Sequence, residues 1–163
     1  MAGTLKPWAY AAWSLLALAG CDNGPLHGSV SELFALTVAS EELLRNPEAF
    51  QVNYFANRNR GEDLVIQLSV SLAGVNFIPG ARVRLEGEYL PGHPRTTVVH
   101  LAVGEPTRTL PLVKLGTLNL SQGGAPKQLT SGDFSLSFVD DGSYGSGRTV
   151  LGSFAGIALD GGF

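Results

Sequence analysis

Cysteine is nearly absent: one residue, Cys21, stands in a chain of 163. No disulfide can form within the chain, so the fold must be held by apolar burial alone. Basic clusters are missing as well. Arg58-Asn59-Arg60 and the pair Arg82/Arg84 are the densest places, whereas nucleic-acid binding draws on several Lys or Arg gathered on one face. Nucleic acid is therefore not an expected partner. The longest apolar run, residues 8–19, falls short of the roughly 20 residues that a bilayer-spanning helix needs. His27, His93 and His100 show no i, i+4 pairing and have no spare cysteine beside them, so no zinc pattern forms. The signatures G-x-S-x-G, S-x-x-K and H-E-x-x-H do not occur, which removes the common nucleophile and metalloprotease motifs.

What is present begins at the amino terminus. Lys6 precedes the apolar run, which closes on Leu18-Ala19-Gly20-Cys21. A positive start, an apolar middle of ~7–15 residues and small residues at the cut have the proportions of a secretory signal. The four residues at the cut resemble the lipobox of bacterial lipoproteins. The resemblance covers only this segment, and it implies cleavage before Cys21 and attachment of a diacylglycerol to its thiol. Asp22 resembles the inner-membrane retention signal of enterobacterial lipoproteins, a rule that does not carry across bacterial groups, so the choice of inner or outer membrane stays open. Acyl burial contributes ~0.8 kcal/mol per CH₂, and stable anchoring takes more than one chain.

The organisation expected from this is a signal peptide at 1–20, a lipidated tether at 21–31 and one β-rich domain at 32–163. Without the signal 143 residues remain, enough for a single core. Losing Lys6 leaves ten basic residues against fourteen acidic ones, a net charge of −4. Residues 22–31 lack an apolar period and contain Gly24, Pro25 and Gly28, so they read as flexible, with a random-coil span of roughly 17–19 Å. Short apolar or alternating stretches then predict strands at 33–38, 50–55, 64–72, 82–89, 96–103, 110–121, 134–138 and 149–159. Residues 40–55 are the hardest to place, although Phe50, Val52 and Tyr54 keep a strand period at 50–55. Ser40 before Glu41-Glu42, and Asn46-Pro47-Glu48, look like helix starts, so a turn or short helical piece is expected there. On the clearest strand Leu64, Ile66, Leu68, Val70 and Leu72 share one face. Val83, Leu85 and Tyr89 are placed inward, and His100 outward. About eight strands joined by turns predict an all-β domain, an antiparallel β-sandwich of about 7–9 strands, with a small closed β-barrel as the alternative.

The glycine-rich stretch 142–149 matches G-x-x-x-x-G-K-[ST] except for Arg148 in place of lysine. A phosphate loop must run into a helix, but residues 150–159 read as a strand, so nucleotide is not expected. Asp133, Asp140 and Asp141 lack the spacing of a calcium loop, and no cofactor or metal is assigned. Asp140, Asp141, Tyr144 and Arg148 are the candidate ligand-facing residues. Phe163 ends the chain as in outer-membrane barrels, yet the outward strand positions carry Ser, Gln, Arg and Glu rather than an apolar band. The expected function is a membrane-anchored, non-enzymatic binding or assembly module of the bacterial cell envelope. A small-ligand or lipid carrier with a β-barrel interior is the alternative, and an enzyme acting on polysaccharide ranks third. If the lipobox is read correctly, Cys21→Ala abolishes incorporation of labelled fatty acid into the protein; labelling that persists in the variant would refute it.

Overall fold

The computed structural model describes residues 24–57 and 63–161. The signal peptide, with Leu18, Ala19, Gly20 and the lipidation residue Cys21, lies outside the described residues. Twelve strands and one short 3₁₀ turn make up the rest. In chain order they are β1 (Leu26–His27), the 3₁₀ turn (Ser29–Glu32), β2 (Ser40–Arg45), β3 (Ala49–Phe55) and β4 (Leu64–Ser71). There follow β5 (Arg82–Arg84), β6 (Glu88–Leu90), β7 (His93–Pro94), β8 (Thr96–Leu101) and β9 (Arg108–Thr109). The long strands β10 (Val113–Gln122), β11 (Leu129–Phe138) and β12 (Thr149–Asp160) complete the chain. The domain is all-β, as its alternation predicts.

Ten strands form one curled sheet, nine of them in the order β5-β10-β11-β12-β2-β3-β4-β8-β9 with β1 paired to β12 beside that path, while β6 and β7 form a separate hairpin. Every pairing is antiparallel except that of β12 with β2. β12 is the hinge. Its residues 149–157 pair with β11 and its residues 158–160 with β2. The sheet therefore has two wings, and their inner faces share one core.

The packing explains why strands with internal glycines hold together. Gly132 lies opposite Phe154, and Gly152 opposite Phe134, on β11 and β12. Each ring lies over the glycine across from it: a Cβ on Gly152 would stand 2.4 Å from Phe134, and one on Gly132 2.7 Å from Phe154. Such glycine–aromatic pairs let a sheet bend while the ring covers the backbone. Phe154 reaches the other wing, 5.3 Å from the Phe50 ring, and Phe134 lies 6.3 Å from Tyr54. The Tyr54 hydroxyl donates to the Ser153 carbonyl at 2.8 Å; burial, with Glu41 nearby, pushes the phenol well above its ordinary pKa. Aromatic and aliphatic side chains fill the interior between the wings.

Four expectations need correction. The stretch 24–31 is not a free tether: Leu26 and Val30 are buried, and β1 pairs with β12. Two apolar side chains among glycines and polar residues give no period, yet both find the core. Residues 33–38 are not a strand, because β2 already occupies that edge of β3; Phe34, Leu36 and Val38 pack on the core as irregular chain. Residues 40–45 are strand β2 rather than a helical piece. The helix-like signal at Asn46 is a turn, in which its side-chain oxygen accepts from the Glu48 and Ala49 amides at 2.9 and 2.7 Å. The predicted strand at 82–89 is split into β5 and β6 around Gly87, whose φ is +84°. Its end, Tyr89, leaves the core side and becomes half-exposed.

The ring-over-glycine geometry has a measurable cost. Gly152→Ala forces a methyl group into the buried Phe134 ring and lowers stability by about 1–3 kcal/mol. Denaturant unfolding should show that loss shrinking in a Phe134→Leu background, since the ring edge is then gone; equal loss in both backgrounds would refute the contact.

Candidate functional site

On β3 the inward residues Phe50, Val52 and Tyr54 build the core, so Gln51 and Asn53 fall on the outer face. An outer face should be wet, yet these amides are only 7% and 5% exposed. They lie flat on the sheet and satisfy one another. Gln51 Nε2 donates to Asn53 Oδ1 at 2.9 Å, and Gln67 Nε2 donates to the same oxygen at 3.1 Å. Asn53 Nδ2 donates to Glu42 at 3.2 Å, and Ser69 Oγ donates to Gln51 Oε1 at 3.1 Å. The result is a polar ladder across β2, β3 and β4. Buried amides that are fully bonded hold a fixed array of donors and acceptors.

At Ser69 the ladder opens into a groove of about 770 Å³. Its floor is the outer face of β4 and β8, with the hydroxyls of Ser69, Ser71 and Thr97, and its wall is the β6–β7 hairpin. Gly92 has a φ of +76°, which a tight reversal needs and glycine supplies without strain. The Gly92 amide donates to the Glu88 carboxylate at 3.1 Å. Arg95 ties the hairpin down: its Nη1 donates to the carbonyls of Ser71 and Ala73 at 3.2 and 3.1 Å. Tyr89 and His93 then present a pair of rings to the groove, with centroids 5.8 Å apart and tilted by 49°. Across the groove stand Pro47 and Glu48.

The residues nominated from sequence occupy the opposite end of the domain and do not converge. Asp141 Oδ1 accepts from the amide and the hydroxyl of Ser143, at 2.9 and 2.6 Å. Those bonds, the hydroxyl's first, hold its carboxyl below the usual range. Asp140 accepts from the Ser146 hydroxyl at 3.3 Å. Arg148 pairs with Glu32 and donates to the Ser29 carbonyl, so it straps the 3₁₀ turn to the start of β12. The stretch 142–149 runs into strand β12, not into a helix. Tyr144 lies under the Arg108 guanidinium, 4.5 Å from its carbon. Tyr144 also lines a smaller cleft of about 370 Å³ with Phe34, Asp63, His100 and Glu105.

Here too the structure corrects the sequence reading. His100 is 7% exposed and faces inward. Its Nδ1 lies 2.9 Å from the Val65 carbonyl, to which it donates, and its ring stacks 3.8 Å from Phe34. His93 stays on the surface, as expected. Among the described residues no group of three His, Cys, Asp or Glu converges to hold a metal.

Sequence reasoning missed the groove because its parts come from four separate segments. A signal existed in Gln51/Asn53 and Gln67/Ser69, polar at alternate positions, but it reads as an ordinary wet face until the strands are paired. Comparison with protein-family models, curated proteins and solved structures finds no match.

Asn53 is the junction of the ladder. Asn53→Ala leaves the Gln51 and Gln67 amides without their common acceptor and should lower stability by ~1–3 kcal/mol, the cost of unsatisfied buried polar groups. An unchanged unfolding midpoint would refute the ladder.

Proposed function

We propose that this protein is a lipoprotein of the bacterial cell envelope, anchored through Cys21, whose domain binds a ligand in the groove beneath the β6–β7 hairpin without turning it over. The ligand class is an uncharged, hydroxyl-rich molecule, a saccharide chain of the envelope. One observation carries this reading: the groove sets the hydroxyls of Ser69, Ser71 and Thr97 beside the half-exposed ring of Tyr89 and the exposed ring of His93. Ring faces accept the C–H faces of a sugar, and the groove's hydroxyls replace the water around its hydroxyl groups. The volume lies within the ~300–1,000 Å³ usual for small-ligand sites. These groups recognise rather than attack, which supports a binding module over an enzyme.

A specific feature favours the carrier as a second reading. At the open seam between the wings a cleft of about 490 Å³ is bordered by Leu85, Pro94, Leu112, Val113 and Val139. Thr96 also borders it, and its buried hydroxyl has no partner among the described residues. A retained lipid seen by native mass spectrometry would favour this seam over the groove.

The groove reading is tested by sedimentation with purified sacculi and soluble envelope polysaccharide. Tyr89→Ala and His93→Ala should each weaken binding several-fold to about tenfold, matching ~0.5–1.5 kcal/mol per ring contact. Asp141→Asn, at the far end, should bind as wild type. Binding that is absent, or unaffected by both ring substitutions, would overturn the assignment.

A further inference from the structure

On the outer face of β11 and β12 most positions are small or polar: Ser131, Asp133, Ser135, Ser137 and Ser153. The far end of this face breaks that pattern. Leu129 is 54% exposed, Ile157 60% and Leu159 43%. Leu129 and Ile157 are direct cross-strand partners, Leu159 follows on the same face of β12, and Leu44 is its partner on β2. Single exposed apolar residues are ordinary, but a contiguous stripe over three strands calls for an occupant.

The path of the chain says which. β1 runs antiparallel to β12, with Leu26 opposite Gly152, and the Pro25 carbonyl accepts from the Ser153 amide at 2.9 Å. Followed toward the amino terminus, the chain therefore travels along β12 in the direction of Ile157. Gly24 is exposed at that point, and Cys21 is three residues away in sequence. Three residues reach at most ~10 Å, and three positions along β12, from Phe154 to Ile157, also cover ~10 Å. Gly24, the first described residue, thus stands about one such three-residue span from the stripe. Lys127, whose amide donates to the Ala158 carbonyl, stands beside it, and Asp160 ends it; both are exposed.

We propose that Leu129, Ile157 and Leu159 form a membrane-contacting stripe that rests the domain on the lipid surface to which Cys21 tethers it. This rests on the lipid anchor of the preceding section and adds to it a fixed orientation: the stripe enters the interface, and the β6–β7 hairpin stays in water.

Both tryptophans of the chain, Trp8 and Trp13, lie in the signal segment, so the mature protein has none and a single reporter is clean. Mature lipidated protein carrying Ile157→Trp is reconstituted in phosphatidylethanolamine/phosphatidylglycerol vesicles with brominated acyl chains, and Leu129→Trp is run as a repeat. Intact mass on the same sample reports whether Cys21 carries lipid. The expected result is a blue-shifted emission quenched by at least half at positions 157 and 129, with a Leu90→Trp control on the hairpin unquenched. Lipid present with position 157 no more quenched than position 90 overturns the stripe and leaves the anchor standing. Lipid absent overturns the anchor; quenching on added vesicles would then still support the stripe, and its absence would overturn that too. A blue shift that depends on protein concentration, without quenching, would assign the stripe to a second copy of the chain and overturn the proposal.

Discussion

Two phenylalanine rings lying over two glycines decide the shape of this domain. Phe134 covers Gly152 and Phe154 covers Gly132 on neighbouring strands, so neither glycine can carry a side chain without displacing a buried ring. The bare backbone lets β11 and β12 approach and curl, and the same rings then meet Tyr54 and Phe50 of the opposite wing. A single strand thereby serves two wings. With the core filled from both sides, every polar outer-face position is free for other uses.

Much of this was legible in the sequence, and what was not has physical causes. The alternation on β4 gave its inward face, with Ile66, Leu68 and Val70 all buried. Residues 149–159 read as a strand despite Gly152 and Gly156, and 149–157 of them pair with β11. Ser40 and the two glutamates after it mimic a helix start, because local propensity cannot see that β3 offers a free edge. Glu41 is used instead as an acceptor for the Ala155 amide at 2.9 Å. The 33–38 stretch has strand composition, but composition does not supply a partner. Leu26 and Val30 were unreadable for the opposite reason, being isolated apolar residues whose burial depends wholly on where β12 runs.

The candidate site was less legible than the fold. Asp140, Asp141 and Arg148 stood out as charged residues in a glycine-rich loop, and each turns out to serve the local chain by capping, bridging or strapping. Gln51, Asn53, Gln67 and Ser69 looked bland because amides and hydroxyls at alternate positions are what any solvated sheet face shows. Only the near-complete burial of Gln51 and Asn53, and the bonding of all four to one another, set them apart. One cross-strand row links them to the other surface of interest. Leu159, Leu44, Gln51, Ser69 and Thr97 are successive partners, so the outer face passes from apolar to polar along a row of four strand spacings, ~19 Å across the sheet.

All of this requires the two wings to be one cooperative body joined at β12. Native-state hydrogen exchange measures that directly, by the opening free energies of core amides at Val52 and Leu68 in one wing and Leu118 and Leu136 in the other. Exchange of all four through a single global opening, with one free energy and one denaturant slope, is the predicted result. Two separate opening free energies, one for each wing, would contradict the shared core and the hinge strand with it.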